Sequence, residues 1–166
     1  MSRAFVNEDD QEQPHIVPPR AALPEGEINY VTPNGLQELK EEQKALEAEK
    51  ENLDAENEQE RRRTLALING KLTLLQERIA SAQVLDPKDN ESKEVRFGAH
   101  VTYKMPNMKK AITVQIVGVD EADIKKQKIA FVSPVAKAMT GAQKGDQIEF
   151  DLGGEKRKVE IVGLEY

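Results

Sequence analysis

The sequence has no cysteine and no tryptophan, and only two histidines among its 166 residues. The absence of cysteine excludes a disulfide framework and a thiolate metal site. His15 and His100 lie too far apart in the sequence to suggest a zinc site by themselves. No apolar run approaches the roughly 18 residues that a membrane span requires. Residues 1–10 also lack the apolar core of a secretion signal, so we expect a soluble cytoplasmic protein with no membrane partner.

Acidic residues outnumber basic ones, 30 to 24, which gives a formal net charge of -6. Proteins that bind bare DNA or RNA by electrostatics usually present a net basic face, and this balance argues against that class. Charged residues make up 33% of the chain, so much of it must be solvated surface. A long exposed helical rod is typical of that composition.

Leucines recur every seven residues early in the chain, at Leu39, Leu46 and Leu53. A second apolar stripe follows at alternating spacings of three and four, formed by Leu65, Ile68, Leu72, Leu75 and Ile79. Each pattern is typical of a coiled-coil seam. Residues 54–60, between the stripes, carry no large apolar side chain. Two seams joined by a short polar break predict an antiparallel coiled-coil hairpin over residues 31–85.

Helix signals define the ends of this hairpin. Thr32 can cap the first helix, and Pro33 suits its first position because an N–H there would be unpaired anyway. We predict helices over residues 33–53 and 58–82, which makes a rod roughly 30–35 Å long. Residues 86–94, which contain Pro87, read as a linker.

Residues 1–30 are polar and rich in proline, which removes backbone donors and blocks helix formation. They predict an extended or disordered arm. The alternative is an arm that docks through Ile16, Val17 and Leu23.

From residue 95 the apolar pattern changes to period two with β-branched residues. This pattern predicts strands near residues 95–97, 101–103, 112–117, 129–132, 147–150 and 158–162. Residues 134–139 predict one short helix, ended by Gly141. Residues 95–166 therefore form a small α+β domain, and the fold class of the whole chain is α+β.

Three blocks in this domain have a distinctive order and spacing: Phe97-Gly98-Ala99-His100-Val101, Ile116-Val117-Gly118-Val119-Asp120-Glu121-Ala122-Asp123 and Ser133-Pro134-Val135-Ala136-Lys137. Together they resemble the C-terminal domain of bacterial GreA/GreB transcription elongation factors. Residues 30–35 and 82–86 resemble the start and the end of that family's coiled coil. The resemblance covers about residues 28–166.

The resemblance implies an architecture and a role. The C-terminal domain would have an FKBP-like fold and dock on RNA polymerase at the rim of its secondary channel. The coiled coil would enter the channel, where tip acids help to hold a catalytic Mg²⁺ while the polymerase hydrolyses backtracked RNA. The factor would then be no enzyme and have no cofactor of its own, sharing Mg²⁺ with the polymerase. It would contact nucleic acid only within that complex, and we expect a monomer.

Carboxylates at the predicted tip are the candidates for this chemistry, because Mg²⁺ prefers hard oxygen ligands and usually takes one or two protein carboxylates. Glu56-Asn57 matches the family's Glu-Asn pair best, and Asp54 is the second acid. The resemblance thus implies that Asp54 and Glu56 assist catalysis and hold metal only in complex with the polymerase. The alternative is a solvated acidic loop.

The tip departs from the family's usual Asp-Leu-Lys-Glu-Asn. Here Leu53-Asp54-Ala55-Glu56-Asn57 has one extra residue, and no acid directly precedes Leu53. The hairpin is also shorter than usual by roughly a dozen residues, or about 9 Å of reach per helix. A second hypothesis follows: the factor occupies the channel without stimulating cleavage.

Two further sets of residues are candidates for partner contacts. We expect a surface formed by Asp120, Glu121, Asp123, Ser133 and Pro134 to bind the polymerase. The alternatives are an acidic loop that fixes a turn and, for Ser133-Pro134, a helix cap and first turn.

Arg61, Arg62 and Arg63 would contact RNA or the channel wall, or else pair with the acids of residues 56–60 on the helix surface. A remote alternative for the whole protein is a peptidyl-prolyl isomerase. That activity needs an aromatic-lined pocket, and the domain offers few aromatic residues: Phe97, Tyr103, Phe131, Phe150 and Tyr166.

Overall fold

The structure, a computed structural model, describes residues 16–166. Two long helices, α1 (Pro33–Glu51) and α2 (Glu58–Ser81), run antiparallel and pack along each other as a hairpin. A domain with a curled mixed sheet and a short helix, α3 (Pro134–Met139), follows. The predicted α+β fold class is confirmed. No helix within residues 16–166 is both long enough and apolar enough to cross a bilayer.

The predicted caps and helix bounds agree with the structure to within two residues. The Thr32 side chain accepts a hydrogen bond from the Gly35 N–H at 2.9 Å, as expected of an N-cap. The first helix ends at Glu51 rather than at residue 53, because the Asn52 backbone and side chain both donate to the Ala48 carbonyl. This capping arrangement ends the helix before the tip residues Asp54 and Glu56.

The hairpin is held together by one continuous apolar seam. The buried members are Val31, Leu39, Leu46, Ile68, Leu72 and Leu75. Leu36, Ile79 and Ala82 pack on its base. Leu53 and Leu65, the pair nearest the tip, are only half-buried, since Leu53 lies beyond the end of α1. The seam is therefore tightest near the base and opens toward the tip.

A two-stranded parallel ribbon closes the base of the hairpin. Its strands are β1 (Tyr30–Val31), directly before α1, and β2 (Gln83–Val84), directly after α2. The chain thus enters and leaves the hairpin side by side.

The C-terminal domain contains a five-stranded sheet with the order β5-β4-β3-β7-β6. Its strands are β3 (His100–Lys104), β4 (Ile112–Val117), β5 (Lys128–Ala130), β6 (Gln147–Leu152) and β7 (Glu155–Glu165). Only the β4–β5 pair is parallel. The strand predicted at residues 95–97 does not form. Val95 instead bonds through its backbone to the turn after α3, donating to Ala142 and accepting from Gly141.

The domain core lies between the sheet and α3, and its largest fully buried side chains include Val95, Val101, Ile116, Met139 and Ile161. Burial raises the pKa of the Tyr103 and Tyr166 phenols above the ordinary value. The Tyr166 hydroxyl donates to the Glu94 carbonyl, which fastens the end of the chain to the start of the domain.

The part of the predicted arm that the structure describes, residues 16–29, forms neither helix nor strand. Val17 lies against Gly70 of α2, and Leu23 is half-buried, whereas Ile16 is 86% exposed. Val17 thus docks on the hairpin as the alternative predicts, whereas the docking predicted for Ile16 is wrong because its side chain is exposed. The remainder of the predicted arm lies outside the described residues.

Replacing Leu75 with alanine tests the seam. The side chain is fully buried, so we expect the free energy of unfolding to fall by about 2–5 kcal/mol. Leu152→Ala is the matched control, because Leu152 is 46% exposed and its truncation should change stability by no more than about 0.5 kcal/mol. Urea unfolding followed by circular dichroism measures both, and equal losses would contradict the proposed seam.

Candidate functional site: the hairpin tip and its base

The tip of the hairpin is an acidic turn between α1 and α2. Asp54 and Glu56 lie in this turn, and both are exposed. Asn57 caps α2 by accepting from the Glu60 N–H at 2.8 Å. Glu58 and Glu60, in the first helical turn, are also exposed and interact favourably with the positive end of the helix dipole. The capped helix start therefore presents several carboxylates to solvent at the far end of the rod.

The three arginines predicted to contact RNA or the channel wall lie near the start of α2. Arg61, Arg62 and Arg63 are all exposed. None of the ion pairs formed within residues 16–166 includes any of them, so pairing with the tip acids is not realised. The hairpin end thus carries a band of acids and then a band of bases.

The tip carboxylates do not form a metal centre by themselves. Within residues 16–166, no three or more His, Asp or Glu side chains are grouped so that they could hold an ion. Asp54 and Glu56 are hard, exposed oxygen donors, and one or two carboxylates is what Mg²⁺ usually takes from a protein. The donor set therefore fits a Mg²⁺ ion whose remaining ligands come from another molecule.

Glu121 lies at the opposite end of the rod, where the hairpin meets the C-terminal domain. The residue is 6% exposed, and its carboxylate accepts from Thr32 Oγ1 at 2.6 and 2.9 Å. Asn34 Nδ2 donates to it at 2.9 Å, and Lys128 Nζ lies at 3.4 Å. A Cβ atom on Gly35 would come within 2.9 Å of the same carboxylate. Glycine at this position lets the first turn of α1 approach the acid closely.

Asp120, the neighbouring acid, joins two arginines. Arg20 Nε donates to Asp120 Oδ1 at 3.0 Å, and Arg78 Nη1 lies 3.6 Å from Oδ2. Arg20 also donates to both carboxylate oxygens of Glu42, at 2.8 and 3.0 Å. The hydrogen bond with Glu42, with a smaller contribution from Asp120, raises the pKa of Arg20 despite the opposing effect of burial. The cation is therefore permanently charged in this site.

The backbone also approaches closely at this junction. Gly118 packs against β1 so tightly that a Cβ atom there would lie 2.5 Å from the Tyr30 carbonyl oxygen. Glycine is needed for that contact. The segment 118–121 is thus wedged against the hairpin base by its backbone and by both acids.

These contacts give Asp120 and Glu121 an internal role, because both side chains are buried and bonded within the chain. Asp123 fixes a turn: its side chain accepts from the Lys125 N–H at 3.0 Å and caps a 3-10 turn. The three acids therefore lie in an acidic loop that holds local structure, which is the alternative predicted from the sequence. The expected partner contacts of the three acids stay a prediction.

Ser133 and Pro134 form the start of α3. The Ser133 side chain accepts from the Ala136 N–H at 3.3 Å, and Pro134 occupies the first helical position with its ring exposed. Ser133 and Pro134 thus act as the helix cap and first turn, as the alternative predicts, and Pro134 lies on the surface. Their contact with a partner also stays a prediction.

An aromatic cleft beside α3 is a feature that sequence reasoning missed. Tyr30, Phe97 and Phe131 form a triangle with ring centroids 5.6–5.8 Å apart. They line a cleft of about 760 Å³, which β2 and α3 flank. The three rings come from separate segments, so no local pattern marks them. Of the domain's aromatic residues only Phe97 and Phe131 line this cleft, while Tyr103 and Phe150 belong to the core.

The variant Glu121→Ala tests the junction. It leaves the Thr32 hydroxyl and the Lys128 ammonium without their acceptor, so we expect the free energy of unfolding to fall by about 1–3 kcal/mol. Glu155→Ala, which removes an exposed pair with Arg157, should change stability by no more than about 0.5 kcal/mol. Urea unfolding compares them; a neutral Glu121→Ala variant would refute the bracing role.

A family profile described as "Transcription elongation factor, GreA/GreB, C-term" matches residues 89–166. Transcription elongation factor GreA of Acidiphilium cryptum is 39% identical over 101 residues, which are 61% of this chain and 64% of that protein. GreA of Francisella tularensis subsp. novicida is 37% identical over 118 residues, or 70% of this chain and 72% of the relative. The chain thus spans just under two thirds of the first relative.

The solved structures that match are also GreA-related factors, and their sequence identity to this chain is lower. The crystal structure of GreA factor homolog 1 of Thermus thermophilus is 19% identical, covers 84% of this chain and all of its own, and superposes with a TM-score of 0.39. A GreA/GreB factor from Nitrosomonas europaea is 21% identical over 84% of this chain and 99% of its own, with a TM-score of 0.40. The assignment rests on the sequence matches: the chain belongs to the GreA/GreB family of transcription elongation factors.

Proposed function

We propose that this protein binds RNA polymerase, inserts its hairpin into the secondary channel and promotes cleavage of backtracked RNA through Asp54 and Glu56. The observation that carries the proposal is the exposed pair of carboxylates at the far end of a braced two-helix rod. The factor acts in the cytoplasm and is not itself an enzyme. The bond-breaking centre belongs to the polymerase.

The chain contributes positioning and negative charge. Hydrolysis of a phosphodiester requires that a water molecule be activated and that charge developing on the phosphate be neutralised, which Mg²⁺ supplies when bound. Asp54 and Glu56 would hold that ion together with polymerase ligands. The Asn57 cap and the buried seam below it limit the freedom of the turn that carries both acids. Limiting that freedom before binding lowers the entropic cost of assembling the site.

The other predicted residues divide between docking and the channel. Ser133, Pro134 and the acids Asp120, Glu121 and Asp123 lie toward the domain end of the rod, and we assign polymerase docking to the surface around the exposed Pro134 ring. Arg61–Arg63 lie one helical turn below the tip acids, exposed and free of internal ion pairs among residues 16–166. They are placed to contact RNA phosphates or the channel wall, with nucleic acid reached only inside the complex.

A second candidate function is a regulator that occupies the channel without stimulating cleavage. The tip sequence Leu53-Asp54-Ala55-Glu56-Asn57 departs from the family's usual one, and α1 has 19 residues, a length of about 28 Å. A short rod would block the channel while its carboxylates stop short of the metal. This candidate slows RNA synthesis and leaves the backtracked transcript intact.

Cleavage of backtracked RNA by the cognate polymerase, with and without the protein, separates the two candidates. We expect the native protein to speed cleavage and Asp54→Ala/Glu56→Ala to lose at least about tenfold of that stimulation, because metal ligation is lost while binding is kept. Glu41→Ala/Glu49→Ala removes two exposed acids from the side of the rod and should stimulate normally.

Binding of each variant to the polymerase is measured in parallel. A double tip variant that stimulates cleavage like the native protein would remove Asp54 and Glu56 from the mechanism. A native protein that binds, slows synthesis and produces no shortened RNA would establish the second candidate.

A further inference from the structure

We propose that residues 17–21, here called the N-terminal strap, fix the angle between the hairpin and the C-terminal domain, with Arg20 as the positioning residue. The strap lies outside the matched family profile, which covers residues 89–166. Its mechanical role stands on the contacts described below. Its role in placing the tip for cleavage rests on the proposed function.

Arg20 connects three parts of the molecule at once. It belongs to the strap, its Nη atoms donate to Glu42 of α1, and its Nε donates to Asp120 of the C-terminal domain. The Arg20 side chain is 17% exposed and that of Asp120 is 6% exposed. A guanidinium presents its donors in a rigid planar fork, so two carboxylates bonded to one fork are held at a defined separation and direction. The pair thus fixes α1 relative to the domain.

Arg78 extends the same junction to α2. Its Nη1 lies 3.6 Å from Asp120 Oδ2, and its Nη2 donates to the Ala21 carbonyl of the strap. Asp120 therefore accepts a hydrogen bond from the strap arginine on one oxygen, while the α2 arginine faces the other oxygen as a longer ion pair. Removing the strap would leave the buried Asp120 with only the longer contact.

Val17 fixes the other end of the strap to the middle of α2. A Cβ atom added to Gly70 would overlap a Val17 methyl group, so the strap lies directly on the helix backbone at this point. Glycine in a helix interior is unfavourable compared with alanine. Its presence at the point where Val17 lies on α2 is accounted for by this close approach.

The geometry gives the junction leverage over the tip. Apart from the strap, the hairpin is joined to the domain by the segment that follows β2, by the Arg78–Asp120 ion pair and by the Glu121 hydrogen bonds. Tyr30 of β1 also packs against Gly118, Phe97 and Phe131 of the domain. The rod is about 30 Å long, so a rotation of about 10° at its base moves the tip by about 5 Å. A displacement of that size separates a carboxylate from any metal ion it would ligate. The strap therefore controls the position of Asp54 and Glu56 relative to the C-terminal domain.

The absence of cysteine from the chain permits a direct test. Spin labels on Gln59→Cys at the tip and Lys144→Cys in the domain, both at exposed positions, report the hairpin-to-domain distance distribution by pulsed electron paramagnetic resonance. In the full chain we expect one narrow distribution. Arg20→Gln should broaden or shift it, and Arg20→Lys should restore it only in part because an ammonium lacks the fork. Arg157→Gln, the same change at an exposed ion pair, should leave it unchanged.

Gly70→Leu provides an independent variant that keeps the charges. Leucine favours helix and fills the space of Val17, so it should strengthen α2 while displacing the strap. Unchanged helical circular dichroism with a broadened distance distribution is the expected result. Native-like distributions in both Arg20→Gln and Gly70→Leu would overturn the proposal.

Cleavage assays on Gly70→Leu then separate this proposal from the proposed function. We expect stimulation to fall several-fold at saturating factor, although the tip is untouched. A broadened distribution with full stimulation would overturn the positioning role for cleavage. If the native protein fails to stimulate at all, the proposed function fails, while the distance measurement still decides the mechanical role of the strap.

Discussion

Two adjacent buried carboxylates, Asp120 and Glu121, hold the hairpin to the C-terminal domain, and the direction of the whole rod depends on them. Isolated buried charges are costly, so each must keep its partners: Arg20 and Arg78 for one, Thr32 and Lys128 for the other. Such pairs add little net stability compared with apolar packing, but losing one partner is expensive. That asymmetry makes them suited to specifying one orientation. In our proposal the rod delivers two carboxylates to a fixed place, which requires such a joint at its base.

The two ends of the rod use acids in opposite ways. At the base, the desolvated carboxylates are bonded within the chain, Asp120 to Arg20 and Glu121 to Thr32 and Lys128. At the tip, Asp54 and Glu56 are exposed and lie in a turn whose next residue, Asn57, caps α2. The structural acids and the candidate functional acids thus differ in how far their side chains are exposed to solvent. The same residue types thus serve bracing at one end and, in our proposal, metal ligation at the other.

Local periodicity predicted much of the fold. The seven-residue repeat and the Thr32-Pro33 cap located the first helix, and the stripe with spacings of three and four located the second, both to within two residues. Seams and caps are properties of short segments, so they can be found from local sequence. Asn52 ended α1 early, and Val95 bonded to a distant turn in place of a strand. The base of the rod could not be predicted, since Arg20 and Asp120 are 100 residues apart. The tip acids could be found from their place between two seams, but their chemistry depends on ligands that another molecule supplies.

In our proposal a braced rod brings its tip carboxylates to the active centre of RNA polymerase, and site-directed photo-crosslinking tests this placement most directly. The variant Gln59→Cys carries the sole thiol in its chain, so a photoreactive group can be attached at the tip alone. The labelled protein is then bound to a polymerase that is stalled on backtracked RNA. We predict crosslinks to the RNA 3′ segment and to polymerase residues beside the catalytic Mg²⁺. Crosslinks confined to the outer surface of the polymerase, with the protein bound, would contradict the account.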